Sequence, residues 1–282
     1  MKQELIKLAS LMIILISVSC SEKKEKSTTE DLPATNNEAQ LVWGDEFNYE
    51  GLPKSDLWDY DRGDGCENPG GCGWGNQERQ YYTYKELKNG RVEDGHLIIE
   101  AHKQKIGQAD YSSVRLVSKP SGIMKYGRIE VRAKLPSGRG TWPAIWLLPV
   151  ENKYGGWPRS GEIDIMEHVG YNPDSLFATV HTESYNHMLG TQKDGEAFVP
   201  TAESDFHIYT LNWQEDKMEF FVDDNNYFTY FNDGSGPASW PFDQEFYLIL
   251  NIAVGGSWGG ALGIDEDVWP QRMEVDYVRY YQ

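Results

Sequence analysis

The chain has few basic residues for its size. Its 282 residues include 26 Lys and Arg but 44 Asp and Glu, which gives a formal net charge of −18. Nucleic acids and anionic membrane surfaces are bound by clustered Lys and Arg, so the composition argues against both as partners. The same charge disfavours a strongly sulfated or carboxylated ligand. A neutral ligand fits the composition best.

Long apolar runs are also missing, except near the N-terminus. Residues 1–20, MKQELIKLASLMIILISVSC, place two lysines before an apolar stretch of about ten residues, which is typical of a signal peptide and short for a membrane span. The ending SVSC resembles the lipobox of bacterial lipoproteins, in which the cysteine is lipidated after cleavage, although Ser17 stands where Leu is usual. The segment predicts a lipoprotein-type signal peptide with Cys20 lipidated. A plain secretory signal is the alternative.

The next segment, residues 21–40, lacks aromatic residues and is polar. A segment of this composition cannot bury enough apolar surface to fold, so it predicts a disordered tether. We therefore expect an exported protein, held by lipid at the bacterial outer membrane on its periplasmic or its outer face. The lipid would be its only membrane contact.

Cysteine is scarce, with 3 in the chain. Cys66 and Cys72 lie close together in CENPGGC. A zinc site would need more ligands than this segment offers. An exported protein meets an oxidising compartment, so we expect either a disulfide that closes a small loop or two free thiols.

No segment after residue 40 shows a helical stripe of apolar residues. Short runs of β-type residues, separated by Gly, Pro, Asn and Asp, fill the chain instead. In GRIEVRAKL the residues Ile129, Val131, Ala133 and Leu135 alternate with charged residues, which is the period of a half-buried strand. The sequence predicts one all-β domain over residues 41–282, an antiparallel β-sandwich.

Three acidic residues stand among apolar ones in GEIDIMEHVG, residues 161–170. On a strand, Glu162 and Asp164 point to one side and the isoleucines to the other, but strict alternation would send Glu167 into the core. Burying a lone carboxylate there is costly. A β-bulge near Ile165–Met166 removes the conflict, because it adds a residue without advancing the alternation. We therefore predict a bulged strand with all three acids on one face.

This geometry predicts a pair of carboxyl groups suited to acid–base chemistry. Four strand steps of ~3.3 Å, less the lean of two Glu side chains, leave ~5 Å between the carboxyls of Glu162 and Glu167, the separation of a retaining glycosidase. Three such close carboxylates cannot all ionise at neutral pH, so one keeps a proton. Two alternatives remain at this point: a solvated acidic face, and a calcium site.

The same stretch resembles the E-x-D-x-x-E motif of glycoside hydrolase family 16, in the form that carries the extra strand residue. The resemblance extends over residues 41–282 through WGDEF, GWGNQERQYYT, YGRIEVRAKLPSGRGTWPAIWLLP, NIAVGGSWGG and VDYVRYYQ, in the order and spacing of laminarinase-type members. It implies a concave β-jelly roll that cleaves β-linked glucans or galactans with retention. By this resemblance Glu162 is the nucleophile and Glu167 the general acid/base, while Asp164 bonds the nucleophile and helps to set its protonation.

The resemblance also implies a set of sugar-contacting residues. Flat aromatic rings stack on the C–H faces of sugars, and polar side chains bind hydroxyl groups. A core or structural role is the alternative for each of them, and for Arg128 a surface ion pair. The expected residues are Trp142, Trp146, Trp157, Trp258, His181, Asn76 and Arg128, with Glu78 less favoured.

A structural calcium ion often lies on the convex side in this family, away from the cleft. The matching positions here are Glu46, the carbonyl of Gly95, and Asp276. Oxygen ligands from an early and a late strand would tie the two chain ends together. The alternative is a pair of solvated acids. No cofactor is expected for catalysis, and a monomer is the default expectation.

Three functions compete on the sequence. The first is an endo-acting retaining hydrolase of β-1,3-glucosidic bonds in laminarin-type glucans. The second is a sibling hydrolase that acts on mixed-linkage β-1,3-1,4-glucan or agarose. The third is a surface glycan-binding protein without catalysis, which the intact acid triplet argues against.

Overall fold

The structure, a computed structural model, describes residues 39–67 and 71–282. The expected signal peptide over 1–20 with Cys20, and the expected tether up to residue 38, lie outside these residues. In the part described, no helix is long and apolar enough to cross a membrane.

The described chain is built from β-strands joined by turns, with one short 3-10 turn at Cys72–Gly75. Runs rich in β-branched and aromatic residues form the strands, and Gly, Pro, Asn and Asp cluster between them. The strands are β1 (Leu41–Asp45), β2 (Asp59–Asp61), β3 (Gln80–Tyr82), β4 (Gly90–Glu93), β5 (His96–Ala101), β6 (Tyr111–Ser113), β7 (Arg115–Val117), β8 (Ile123–Met124), β9 (Gly127–Lys134), β10 (Thr141–Pro149), β11 (Glu162–His168), β12 (Ser175–His181), β13 (Lys193–Phe198), β14 (His207–Trp213), β15 (Lys217–Val222), β16 (Asn225–Phe231), β17 (Phe246–Val254) and β18 (Gln271–Tyr281).

Two antiparallel sheets form a sandwich. The front sheet has the order β13-β12-β11-β10-β17-β7-β2, with β8 beside β17. The back sheet has the order β16-β15-β14-β9-β18-β5-β4, with β1 beside β18. A small parallel pair, β3 and β6, lies outside both sheets. The predicted fold class is confirmed.

The core lies between the two sheets and follows the alternation of the strands. In β9 of the back sheet, Ile129, Val131 and Ala133 are fully buried, as the period of two predicted. The front sheet contributes Ile163 and Leu250 from its central strands. A smaller apolar cluster of Val117, Tyr247 and Ile249, with Trp146 packed against it, lies outside this main core. Trp146 therefore packs against these apolar neighbours and also borders the site described below.

Strand β11 carries the predicted bulge. On one side Met166 pairs with Ile145, and the next pair joins Asp164 to Trp146, so that Ile165 is skipped. The register towards β12 shifts at the same place, between Asp164 and Glu167. Ile165 and Met166 are both fully buried in the core although they are neighbours in sequence. The bulge is confirmed, and it returns the following residue to the outer face.

Candidate active site

The three acids of β11 share the outer face of the front sheet. Asp164 lies opposite Trp146 and Glu167 opposite Ala144, two residues apart on β10 and hence on one face. Glu162 lies opposite His181 on β12, in the same alternation as Asp164. The bulge thus places three carboxyl groups in one row along a central strand.

Glu162 is held at the end of this row by an aromatic side chain. The Trp157 indole N–H donates a hydrogen bond of 2.8 Å to Glu162 Oε2. On the other oxygen, His181 Nε2 lies 3.7 Å from Glu162 Oε1. Trp157 is 40% exposed, so its ring flanks the carboxyl and still presents a surface to solvent. Such a ring orients Glu162 and offers a stacking surface for a sugar.

Glu167 has two donors of its own. The Trp142 indole N–H donates to Oε1 at 3.1 Å, and the Thr179 hydroxyl donates to Oε2 at 3.3 Å. Trp142 comes from β10 and Thr179 from β12, the two neighbours of β11. The carboxyl group is therefore fixed from both sides, which pre-organises it for proton transfer.

Asp164 lies between the two glutamates and is almost fully buried. Its Oδ2 has no hydrogen-bond partner among the residues described, and neither has Nδ1 of the neighbouring His181. His181 Nε2 lies 3.4 Å from Asp164 Oδ2. Burial, and then the neighbouring His187, lower the pKa of His181 to about 3, so its ring is neutral at working pH. A neutral ring leaves the Asp164 carboxyl without a charge partner.

Burial raises the pKa of all three acids. The pKa of Asp164 rises well above its usual value because of burial and of the charges of Glu162 and Glu167. Burial and the Glu167 charge raise the pKa of Glu162 to about 8. Burial raises the pKa of Glu167 to about 7. Near neutral pH the row therefore holds protons as well as negative charge, which is the condition for an acid beside a nucleophile.

Charged neighbours distinguish the two glutamates, whose pKa values lie close together. Arg115 lowers the pKa of Glu162, although less than burial raises it. Asp194 raises the pKa of Glu167. The cation favours the anion at Glu162, and the acid favours the proton at Glu167. The net pKa values do not follow these two charges, because burial and the Glu167 charge leave the pKa of Glu162, at about 8, above that of Glu167, at about 7.

An aromatic wall stands beside Glu167. Trp142 and Trp258 meet edge to face with ring centroids 5.5 Å apart, and Phe177 meets Trp258 at 5.2 Å. Both tryptophans are half-buried, so part of each ring faces the outside. The two expected sugar platforms are therefore brought together at the acid/base side of the row. Phe177 was not expected, although it lies directly opposite Glu167 on β12.

Arg115 is a site residue that sequence reasoning missed. Its guanidinium lies 4.6 Å from the centroid of the Trp146 ring and 4.8 Å from that of Trp74, between two aromatic faces. Its Nε lies 3.0 Å from Asp61 Oδ2. The Trp146 indole N–H donates to Asn251 Oδ1 at 2.7 Å. A single Arg in YSSVRLVSK carries no spacing signal, because Trp74 and Trp146 lie far from it in sequence.

Asn76 and Glu78 belong to one hydrogen-bonded group beside the aromatic wall. Asn76 Nδ2 donates to Glu78 Oε1 at 3.3 Å, and Gln80 Nε2 donates to Glu78 Oε2 at 2.6 Å. A Cβ on Gly256 would lie 3.1 Å from the Asn76 carbonyl and 3.2 Å from the Trp142 ring, so the loop that bears Trp258 packs directly on this group. Burial raises the pKa of Glu78. Both residues thus lie near the row of acids.

Arg128 lies elsewhere, and the expected sugar contact is wrong. It belongs to β9 of the back sheet, on the face that points away from the core, because Ile129 beside it points inward. Its guanidinium forms an ion pair with Glu130 on the same face. The alternative of a surface ion pair is the correct one.

The structure joins Cys66 and Cys72 by a disulfide. The bond closes the loop that leads into the 3-10 turn, where Trp74 stacks against Arg115. A Cβ on Gly65 would lie 2.8 Å from the Trp74 Cα, so only glycine permits this approach. The cysteine pair therefore helps to shape the loop that places Trp74 against Arg115.

The expected calcium residues meet at one junction of the back sheet. Strands β5 and β1 pair one after the other with the same edge of β18. The pairing with β5 ends just before Asp276, and the pairing with β1 begins just after Tyr277. Glu46 directly follows β1 and Gly95 directly precedes β5. The three positions thus converge, and their oxygens are the donors that calcium prefers.

Both carboxylates at this junction already have arginine partners. Glu46 accepts two bonds from Arg279, at 2.7 and 2.8 Å, and Asp276 accepts one from Arg132 at 2.5 Å. A bound cation would compete with these ion pairs. The donor types and their placement fit calcium, but the negative charge is balanced without it.

One comparison decides the family. The model of the glycosyl hydrolases family 16 matches residues 77–279, which include the row of acids, the aromatic wall and Arg115. The chain belongs to glycosyl hydrolase family 16. It is a glycoside hydrolase, and the resemblance read from the sequence is confirmed.

Relatives of the family 16 domain agree with this assignment. A beta-glucanase of Rhodothermus marinus is 52% identical over 250 residues, covering 86% of this chain and 85% of its own length. A glucan endo-1,3-beta-glucosidase of Cryptopygus antarcticus is 38% identical and covers 85% of this chain and 90% of its own length. The X-ray structure of the laminarinase from Rhodothermus marinus matches with a TM-score of 0.83 at 50% identity, covering 86% of this chain and 97% of that one.

Metal chemistry is not needed for hydrolysis by this family, which uses carboxyl groups. Glu162, Asp164 and His181 do offer three ligand atoms within 4.8 Å of one another. Calcium prefers six to eight oxygen ligands, so two carboxyls and an imidazole are a poor match. The cluster is better explained as part of the row of acids.

Proposed function

We propose that the protein is an endo-acting, retaining β-1,3-glucanase that cleaves laminarin-type glucans. The observation that carries the proposal is the row of Glu162, Asp164 and Glu167 on one outer face, with Trp157 bonded to one end and Trp142 to the other. Two relatives, a glucan endo-1,3-beta-glucosidase and a laminarinase, support the β-1,3 linkage. The net charge of −18 supports a neutral polymer.

The first chemical step forms a glycosyl-enzyme. Glu167 gives its proton to the glycosidic oxygen, which leaves with its bonding electrons as an alcohol. A carboxylate oxygen of Glu162 attacks the anomeric carbon from the opposite side and forms an ester-like bond to the sugar. The Trp157 N–H on Glu162 Oε2 fixes which oxygen is free to attack. We assign a proton to Asp164, whose pKa burial and the charges of Glu162 and Glu167 raise well above its usual value, so that Glu162 attacks as the anion.

The second step releases the sugar. Glu167, now ionised, takes a proton from a water molecule, and the water oxygen attacks the anomeric carbon. The bond to Glu162 breaks and its carboxylate re-forms. Each step inverts the configuration at the anomeric carbon, so the two steps together retain it. Both steps need the Glu167 carboxyl group in the same place. The hydrogen bonds from Trp142 and Thr179 hold it there.

A polymer screen tests the proposal. The protein is incubated with laminarin, with mixed-linkage glucan from lichen and with agarose, and the products are sized over time. Early release of mixed oligosaccharides from laminarin is expected of an endo-acting enzyme. Intact laminarin beside degraded agarose or lichen glucan would refute the proposed substrate. The name beta-glucanase, borne by the relative at 52% identity, keeps mixed-linkage glucan as the second candidate.

We further propose a structural calcium ion at the junction of Glu46, Gly95 and Asp276. Its support is the convergence of these three positions at the gap between β1 and β5 along β18. Calcium that binds the folded state raises the unfolding temperature with its concentration. Thermal unfolding in EDTA and in millimolar calcium tests this, with Asp276→Asn expected to abolish the difference. Equal unfolding temperatures of the unchanged protein in both buffers would refute it.

The location of the protein also remains a proposal. The apolar stretch before Cys20 and the SVSC ending support an exported protein that is lipid-anchored at the outer membrane and acts as a monomer. Labelled palmitate should enter the unchanged protein and not Cys20→Ala, and only the latter should leave the membrane fraction. Light scattering of a soluble form measures the oligomeric state. Equal labelling of both forms would refute the anchor.

A further inference from the structure

The bulge in β11 leaves one residue without a partner in either neighbouring strand. Towards β10 the pairing passes from Met166 to Asp164, and towards β12 it passes from Glu167 to Asp164. Ile165 is skipped in both. A buried carbonyl group that lacks a ladder bond is costly unless another donor reaches it.

A donor to the Ile165 carbonyl comes from the other sheet. The hydroxyl group of Tyr227, on edge strand β16 of the back sheet, donates a hydrogen bond of 2.9 Å to the Ile165 carbonyl oxygen. The Tyr227 ring packs against the core that separates the two sheets. One side chain therefore crosses the sandwich to reach the irregular point of the catalytic strand.

The approach of Tyr227 depends on a close contact between two edge strands. Gly195 lies in β13, the edge of the front sheet, and a Cβ there would lie 2.6 Å from the Tyr227 carbonyl oxygen and 2.6 Å from the Phe228 Cβ. Only glycine permits this distance. The contact fixes β16 against the front sheet and thereby holds Tyr227 in reach of β11.

Tyr227 is also close enough to Glu167 to respond to its charge. Burial, and then the Glu167 carboxylate, raise the pKa of Tyr227, so the hydroxyl keeps its proton and remains a donor. Only Met166 separates Ile165 from Glu167 along the chain. A shift of the Ile165 peptide would therefore turn the backbone that carries the acid/base side chain.

We propose that Tyr227 is a positioning residue: its bond to the Ile165 carbonyl holds the bulge and so directs Glu167 at the glycosidic oxygen. It does not touch the substrate. The inference rests on the proposed mechanism, in which Glu167 is the general acid/base. Misplacement of a catalytic group by about 1 Å can reduce a rate by about a hundredfold.

The test compares Tyr227→Phe with a matched control. Tyr230 lies on the same strand, and its buried hydroxyl donates at 2.7 Å to a backbone carbonyl, that of Ser239, away from the catalytic strand. Tyr230→Phe therefore removes the same kind of bond without touching the bulge. Both variants are assayed on laminarin and on a dinitrophenyl β-glucan oligosaccharide, whose leaving group departs without protonation.

Tyr227→Phe should lower kcat/KM on laminarin at least about tenfold, with KM little changed. Its kcat/KM on the dinitrophenyl substrate should stay within about twofold of the unchanged protein, because glycosylation there needs no proton donor. The basic limb of the pH profile on laminarin should move to lower pH as Glu167 gains solvent. Tyr230→Phe should leave kcat/KM on both substrates, and the basic limb of the pH profile, unchanged.

Two results would overturn the positioning role. One is an equal loss of Tyr227→Phe on both substrates, which indicates general damage to the fold. The other is a laminarin rate for Tyr227→Phe equal to that of Tyr230→Phe. Each rate of a variant is divided by the rate of the unchanged protein on the same polymer. If the protein hydrolyses a polymer other than laminarin, the proposed substrate is refuted, and the two variants are compared on that polymer instead.

Discussion

Asp164 and Glu167 lie on the same face of one strand although they are three positions apart, because Ile165 is skipped in the pairing with both neighbouring strands. A regular strand would place them on opposite faces. The row of acids in this family 16 enzyme therefore depends on an irregularity. The predictions below test how the residues around that row set its chemistry and how the loops beside it support the fold.

Glu162→Gln should abolish turnover and leave binding intact. Glutamine has nearly the same shape but no nucleophilic carboxylate, so the loss in kcat should be on the order of a thousandfold or more. Affinity for a glucan oligosaccharide, measured by calorimetry, should change little. Glu183→Gln is a control, since Glu183 is half exposed and pairs with Arg159 on the surface. Retained hydrolysis by the first variant would remove Glu162 as nucleophile.

Arg115→Gln should move the acidic limb of the kcat/KM profile to higher pH. The Arg115 charge lowers the pKa of Glu162, so its loss raises that pKa and the nucleophile is protonated at a higher pH. A shift of up to about one unit is expected. Arg115→Lys keeps the charge and loses the flat stack between Trp74 and Trp146, so its limb should stay in place. An unchanged limb in the glutamine variant would contradict the electrostatic role.

Asp194→Asn should move the basic limb of the kcat/KM profile to lower pH. The Asp194 charge raises the pKa of Glu167, so its removal lowers that pKa and the acid loses its proton at a lower pH. The basic limb of kcat/KM should therefore shift downward, by less than about one unit. Asp216→Asn, in the turn between β14 and β15 of the back sheet, should leave both limbs in place. A basic limb that moves upward would be inconsistent with the assignment of Glu167.

Gly170→Ala should destabilise the fold close to the site. A Cβ at Gly170 would overlap the Gly138 carbonyl oxygen and the Thr141 hydroxyl, at the start of β10. The overlap requires a backbone shift that costs about 1–3 kcal/mol. Urea unfolding measures the free energy. Gly156→Ala is the control, since nothing lies within 4 Å of a Cβ there. Equal stability of the two variants would show that the loop adapts.

Local patterns explain why the fold and the placement of the three acids on one face were predictable. The alternation around Ile129 and Val131 identifies a strand, because side chains of a strand point to alternate faces. The conflict at Glu167 required a bulge, because a lone buried carboxylate is too costly. Both inferences use neighbours in sequence only. The strand around Ile129 is confirmed in the back sheet, and the bulge before Glu167 is confirmed in the front sheet.

Contacts between distant segments were not predictable in this way. Arg115 lies between Trp74 and Trp146, and Tyr227 reaches Ile165 from the other sheet. Arg128 has the same alternating pattern as its neighbours but lies on the back sheet, so the expected sugar contact failed. Nothing in a short stretch of sequence states which sheet a strand joins.

The amino-acid sequence by itself determined the strands, the bulge and the three acids, since these follow from the period of two and the cost of burying charge. The tertiary structure alone decided which groups surround those acids. Strand order brings Arg115 to Glu162 and Asp194 to Glu167, and it sends a tyrosine across the core to the bulge. Proton affinities depend on charges and burial in space, so they are fixed only when the chain has folded.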